Sequence, residues 1–219
     1  MPYNFAPDSF HTKKLCSRLS SSDACPVVCR RLLCGLATAA HRRLVPPTVY
    51  QSLVVALVLS RLDYGNATPA GLPTCLLNLL QSALNATVRS IAGLRCLEHI
   101  TDALASFHWL RAPERIKFKL AVIVYRTLHG AAPQYLSDQL QYVADLPTRR
   151  RGRLSSSTSN LLDVRPSRCV TVGDRSFATA GPRLWNSLPA DVRSASSLTT
   201  FRRKLKTHLF RQSYPDTVL

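Results

Sequence analysis

The chain has 219 residues, 46% of them hydrophobic and 7% aromatic, and a formal net charge of +17 at pH 7. This composition excludes disorder throughout the chain, because it supplies enough apolar surface to bury a sizeable core. The charge attracts polyanions, of which nucleic acid is the commonest, while an anionic membrane surface or an acidic partner would be served by the same field.

The first half of the chain predicts a loose leader over 1–22, which lacks periodicity, followed by helices. A first helix is predicted over about 23–43 and a second over about 47–64, where Pro47 suits the first helical position. Because the second helix is apolar on most faces, we expect it to be central. Pro73 begins a third helix that Gly93 ends, with an apolar stripe at helical spacing.

Shorter apolar periodicities continue to residue 146. A short helix is predicted to end near 108–110, a longer one to run from Pro113 to Gly130, and another to begin at Pro133. These segments predict a helical bundle body over 23–146. The apolar run at 53–59 is far shorter than the ~20 residues of a membrane span and predicts a buried helix. We predict no membrane association, because the apolar stripe at 198–209 is better explained as a packing face than as a membrane-surface helix.

After residue 146 the composition changes. Residues 147–160 are rich in Arg and Ser and predict a basic linker. A small α-rich cap is predicted over 161–212, followed by a tail over 213–219. Weak alternation at 161–164 and 169–172 allows one short β-hairpin, and Gly181-Pro182 is expected to interrupt a helix that Asp174 caps. The predicted fold class is therefore mainly α.

A basic amphipathic helix closes the cap. Ser197 is a good N-cap residue, and four apolar residues recur on one face of a helical period: Leu198, Phe201, Leu205 and Leu209. We expect this stripe to dock onto Phe177, Trp185 and Leu188. The basic back of the helix is either a solvated face or a nucleic-acid contact surface.

Positive charge is concentrated near this helix. Residues 147–219 carry 14 Lys/Arg against 4 Asp/Glu, net +10, whereas residues 1–146 carry 15 against 8, net +7. Arginine predominates, and its guanidinium group can form paired hydrogen bonds with a phosphate and can stack on a base. The candidate contacts to RNA or DNA, non-specific and salt-sensitive, are Arg149, Arg150, Arg151, Arg153, Arg202, Arg203, Lys204 and Lys206.

Residue clusters that carry catalysis are missing from the sequence. The 12 acidic residues are scattered singly, whereas polymerases and nucleases need clustered carboxylates for two metal ions. We predict neither enzymatic activity nor a cofactor. Seven cysteines in no disulfide framework, and no secretory signal, favour an intracellular protein of the nucleus or cytoplasm. Cys25, Cys29 and Cys34 lack zinc-ribbon spacing, so idle thiols are favoured over a metal site.

Several motifs together resemble a known family. The segment at 59–67, Leu-Ser-Arg-Leu-Asp-Tyr-Gly-Asn-Ala, followed by Ala-Gly-Leu-Pro at 70–73, resembles a stretch of non-LTR (LINE-type) retrotransposon reverse transcriptases. The likeness continues in order through 99–110, 115–119 and 125–136 to the segment at 173–210. Three departures stand out: Gly65 replaces the usual Cys, Arg111-Ala112 stands where Pro is usual, and Gly181 replaces Ala.

The resemblance implies a thumb and C-terminal region, which in this family grips template-primer or element RNA. It also implies that the palm, with its metal-binding Asp-Asp motif, precedes the matched stretch. The leading hypothesis is a non-catalytic C-terminal fragment of such a reverse transcriptase that binds nucleic acid non-specifically. The alternatives are a domesticated helical module, whose exposed apolar faces bind a protein partner or a second copy, and a retrotransposon remnant without function.

Overall fold

A computed structural model of the chain describes residues 45–59, 73–95, 97–145, 160–166 and 173–215. These residues are mainly helical, as predicted, and they divide into two compact units. The first unit contains the described residues up to 103, and the second contains those from 104 onwards. The predicted linker at 147–160 therefore does not coincide with this division. The predicted leader, the helix at 23–43, the linker before residue 160 and the tail beyond 215 lie outside the described residues.

Two helices form most of the first unit. Helix α1 covers Pro47–Val54, begins at Pro47 as predicted, and continues as a π-helical turn over Val55–Leu59. Helix α2 covers Thr74–Ala92 and ends at Gly93, whose φ of 73° is a left-handed conformation that glycine adopts without a steric penalty. The predicted punctuation of α2 by proline and glycine is confirmed.

One face of α1 packs and another does not. Tyr50 and Val54 are buried, and the Tyr50 hydroxyl is hydrogen-bonded to Ser90 Oγ on α2. Val49 and Leu53 lie one turn apart and stay 47% and 51% exposed. The prediction that this helix is central was wrong, because α2 covers only the row that contains Tyr50 and Val54.

The second unit is built around one long helix. This helix, α4, covers Ala112–Leu128 and follows α3 at Thr101–Ser106, whose first three residues belong to the first unit. Gly130, with φ 68°, lies just after α4, where the sequence predicts the helix to end. Four further helices complete the described part of the chain: α5 at Gln134–Ser137, α6 at Phe177–Ser187, α7 at Ala190–Arg193 and α8 at Leu198–Ser213. Both α6 and α8 pack against α4, and eight of the 17 residues of α4 are buried.

Helix α6 corrects two predictions. It runs without a break through Gly181 and Pro182, both buried against α4. A Cβ on Gly181 would lie 3.1 Å from Val124 Cγ2, so glycine allows the two helices to approach closely. This burial offsets the backbone hydrogen bond that Pro182 cannot donate. Asp174 does not cap the helix, because it lies in a 3-10 turn and pairs with Arg183 at 3.1 Å.

The second half of the predicted hairpin, 169–172, lies outside the described residues. Within the first half, Leu162 forms an isolated antiparallel bridge with Tyr142. Asn186 on α6 occupies the other edge of Leu162, accepting from its backbone N–H at 2.9 Å and donating to its carbonyl at 2.8 Å. The indole of Trp185 donates to the Asn160 carbonyl at 3.0 Å. These bonds satisfy the backbone of an extended segment that forms no sheet.

The apolar stripe of α8 forms the centre of the second unit. Phe201 and Leu205 are 0% exposed and Leu209 is 1% exposed, as the spacing predicts. The Phe201 ring stacks on Tyr125 of α4 with ring centroids 4.4 Å apart, and on Trp185 at 5.8 Å. The stripe therefore docks on α4 as well as on the predicted Trp185.

The N-terminus of α8 is capped by Ser197, whose Oγ accepts a hydrogen bond from the Thr200 N–H at 3.2 Å. We expect Ser197→Ala to lower the free energy of unfolding by about 1 kcal/mol, because the Thr200 N–H loses this partner. Urea denaturation followed by circular dichroism measures the change. Ser196→Ala, at the neighbouring exposed position, is the control and should be close to neutral. Equal stabilities of the two variants would contradict the capping role.

Candidate nucleic-acid interface

The predicted contact residues fall into two groups. Arg149, Arg150, Arg151 and Arg153 lie outside the described residues. Arg202, Arg203, Lys204 and Lys206 all lie on α8, where the first two and Lys206 are exposed and Lys204 is half-buried. The structure therefore brings the second group together on one helix.

Helix α8 carries charge of one sign. Between Leu198 and Ser213 it contains five basic residues and no acidic residue. The fifth basic residue is Arg211, which is exposed and was not among the predicted contacts. Its spacing could have indicated it, because Arg203, Thr207 and Arg211 follow each other at intervals of four and lie along one row of a helix.

Four of these side chains have no partner among the described residues. The side chains of Arg202, Arg203, Lys206 and Arg211 make no hydrogen bond or ion pair within the described part of the chain. We call these four residues the basic face. Several basic residues elsewhere in the second unit are engaged, such as Lys117 with Glu114 at 3.8 Å and Arg183 with Asp174 at 3.1 Å. The basic face is thus the part of α8 whose positive charge remains available to a ligand.

The basic face extends along the helix. Arg202 and Arg211 are nine positions apart, which at the α-helical rise corresponds to roughly 13 Å, and the four side chains span about half of the circumference of α8. A nucleic-acid duplex carries about eight phosphate charges over that length of its axis. Flexible Lys and Arg side chains on neighbouring rows can therefore reach several phosphates at once.

Lys204 is directed elsewhere. Its Nζ forms an ion pair with Asp191 Oδ1 at 2.5 Å and also donates to the Asp191 carbonyl at 3.2 Å. Asp191 lies in the first turn of α7. Sequence reasoning missed this pair, because the two residues are 13 positions apart and belong to different helices. Of the four predicted contacts on α8, Lys204 alone has its charge neutralised by a described residue.

The C-terminal end of α8 is also anchored. The Tyr214 hydroxyl donates to the Trp109 carbonyl at 2.8 Å, and the Arg111 guanidinium lies 5.3 Å from the centre of the Tyr214 ring. Burial raises the pKa of Tyr214, and the positive charge of Arg111 partly opposes that shift. With Ser197 capping one end and Tyr214 tied at the other, α8 holds its basic face in a fixed direction.

Five aromatic residues on and around α8 are buried in the core of the second unit. Tyr125, Trp185, Phe201, Phe210 and Tyr214 are each at most 5% exposed. Bases of single-stranded nucleic acid stack on exposed aromatic rings, which these residues do not offer. The arrangement around α8 is therefore suited to phosphate contacts rather than to base stacking.

Metal-binding clusters and membrane-spanning helices are both absent from the described residues. In the part of the chain that the structure describes, no group of three or more His, Cys, Asp or Glu side chains is placed to hold a metal ion. Cys25, Cys29 and Cys34 lie outside that part. None of the described helices combines the length and the apolar character that crossing a membrane requires.

Comparison with known proteins gave no relatives. No family model, no curated protein and no solved structure matches the chain. The family resemblance thus depends on the sequence motifs alone.

Proposed function

We propose that this chain binds RNA or DNA without sequence preference, through the basic face of α8. The observation that carries the proposal is that Arg202, Arg203, Lys206 and Arg211 have no acidic partner among the described residues and lie on a helix that packs against α4. Phosphate contacts by such side chains supply most of the affinity in non-specific nucleic-acid binding. The Arg-rich segment at 149–153 supports the proposal through its composition.

We further propose that the chain is a non-catalytic C-terminal portion of a LINE-type reverse transcriptase. The support is the collinear set of motifs over 59–210, together with acidic residues that occur only singly in the sequence. On this proposal the chain binds nucleic acid and catalyses no chemical step. RNA-templated DNA synthesis by the purified chain above that of a blank would overturn the non-catalytic assignment.

Direct binding tests the proposed function. Fluorescence anisotropy of labelled RNA and DNA of unrelated sequences should give similar affinities, and these affinities should fall steeply with salt. The log–log slope should be roughly −0.7 to −0.9 for each phosphate neutralised. Absence of binding at 50 mM salt, or affinities independent of salt, would contradict the proposal.

A second candidate function, protein interaction, is favoured by the exposed apolar residues of α1. Val49 and Leu53 lie one turn apart and are each about half exposed, at 47% and 51%. Neighbouring apolar side chains in water are a common feature of surfaces that bind a protein partner or a second copy.

Self-association is the measurable consequence of that candidate. We expect the chain to show a concentration-dependent sedimentation coefficient, which the double variant Val49→Ser/Leu53→Ser should reduce. The control is Thr48→Ser/Ser52→Thr, which changes two exposed neighbouring positions of the same helix and leaves the apolar side chains of Val49 and Leu53 in place. If both variants sediment like the unchanged chain at all concentrations, α1 is not a self-association surface.

A further inference from the structure

Helix α7 places a carboxylate against the basic helix. Asp191 is the acidic residue of the first turn of α7, and α7 packs against α8. The position of α7 is fixed by buried residues on either side of Asp191, since Leu188 is 4%, Val192 3% and Ala195 7% exposed. The side chain of Asp191 itself stays 74% exposed.

The carboxylate of Asp191 neutralises one of the basic side chains of α8, that of Lys204. Lys204 is 33% exposed, and its ammonium group contacts both the carboxylate and the carbonyl of Asp191. On an α-helix Lys204 points about 100° away from Arg203 and about 160° away from Lys206. The ion pair therefore holds Lys204 toward α7, away from Arg202, Arg203 and Lys206 and in line with Arg211 two turns further along the helix.

We propose that Asp191 limits the affinity of α8 for polyanions, and that Lys204 pairs with Asp191 instead of contacting a phosphate. This inference rests on the proposed nucleic-acid binding and adds a residue that restrains it. Two effects act in the same direction: the carboxylate repels an approaching phosphate, and it occupies the one basic side chain of α8 that has a described acidic partner.

The alternative role of Asp191 is purely structural, as a tie between α7 and α8. Exposed ion pairs contribute only about 0.2–1 kcal/mol to stability, so the loss of the tie leaves the fold intact. A structural role would change the melting temperature slightly and leave the number of phosphate contacts unchanged. The salt slope of binding separates the two roles, because it counts neutralised phosphates.

The test is Asp191→Asn in the full chain, titrated against a labelled RNA duplex of about 20 base pairs from 50 to 300 mM salt. We expect binding at 100 mM salt to tighten about 5- to 8-fold, the factor that corresponds to one more neutralised phosphate. The log–log slope should steepen by roughly 0.7–0.9, because Lys204 becomes free to neutralise one more phosphate. Lys204→Gln should leave the slope of the otherwise unchanged chain as it is.

The matched control is Asp174→Asn, which frees Arg183 of α6 from its ion pair. It makes the same change in net charge, and we expect it to leave the slope unchanged. If the unchanged chain binds and Asp191→Asn binds with the same affinity and slope, the restraining role of Asp191 is wrong while the proposed function stands. If the unchanged chain does not bind the duplex, both proposals fail.

Discussion

Phe201→Ala is expected to lower the free energy of unfolding by about 3–5 kcal/mol. The ring is fully buried between Tyr125 of α4 and Trp185 of α6, so its removal leaves a cavity where three helices meet. A loss of this size is a large part of the total stability of an ordinary domain. Urea denaturation, followed by tryptophan fluorescence and by circular dichroism, measures the change.

The matched control is Phe201→Leu, which keeps an apolar side chain at the same place. We expect it to cost clearly less than Phe201→Ala, because less volume is lost, although the ring stacking disappears in both variants. A loss below about 1 kcal/mol for Phe201→Ala would mean that α8 is not fastened to α4 and α6 by this residue.

The triple variant Arg202→Gln/Arg203→Gln/Lys206→Gln is expected to lose most of its nucleic-acid binding. Each phosphate contact contributes roughly 0.7–0.9 to the slope of log affinity against log salt, so three contacts amount to a factor of about 10² to 10³ at 0.1 M salt. The three side chains are exposed and belong to no described hydrogen bond or ion pair, so the fold should keep its stability. Anisotropy with labelled RNA and a thermal melt measure the two quantities.

A control variant separates the basic face from net charge. Lys117→Gln/Arg165→Gln/Arg183→Gln removes the same number of charges from residues that are paired with Glu114, Gln141 and Asp174. We expect this variant to retain most of the binding. Equal losses of affinity for the two triple variants would show that binding depends on the total charge of the chain and not on the basic face of α8.

Helix ends were the best predicted part of the fold. Proline sets the start of α1, proline and glycine bound α2, and glycine follows the end of α4, because a fixed φ and a freely positive φ are local properties of those residues. Pro182 is the exception: burial of α6 against α4 outweighs its local cost, and the local sequence does not contain that contact.

Burial was predicted where a helix has one apolar stripe, as in α8, and missed where apolar residues surround the helix, as in α1. A single apolar stripe defines which side of a helix faces the core. The apolar residues of α1 are compatible with several orientations, and the packing of α2 determines which side of α1 is buried.

For the candidate site, helical spacing placed Arg202, Arg203 and Lys206 on one helix but could not reveal the state of Lys204. Its partner, Asp191, lies on another helix and meets it only after α7 packs against α8. Tertiary ion pairs of this kind depend on side chains that are distant in sequence. The number of available cations on a basic helix is therefore known only when the fold is known.

If the unpaired residues of α8 neutralise phosphates, the salt slope of binding differs between the unchanged chain and the triple variant Arg202→Gln/Arg203→Gln/Lys206→Gln. With the same labelled RNA and salt series, we expect the slope of the triple variant to be shallower by roughly 2 to 2.7. Identical slopes for the two chains would contradict this expectation.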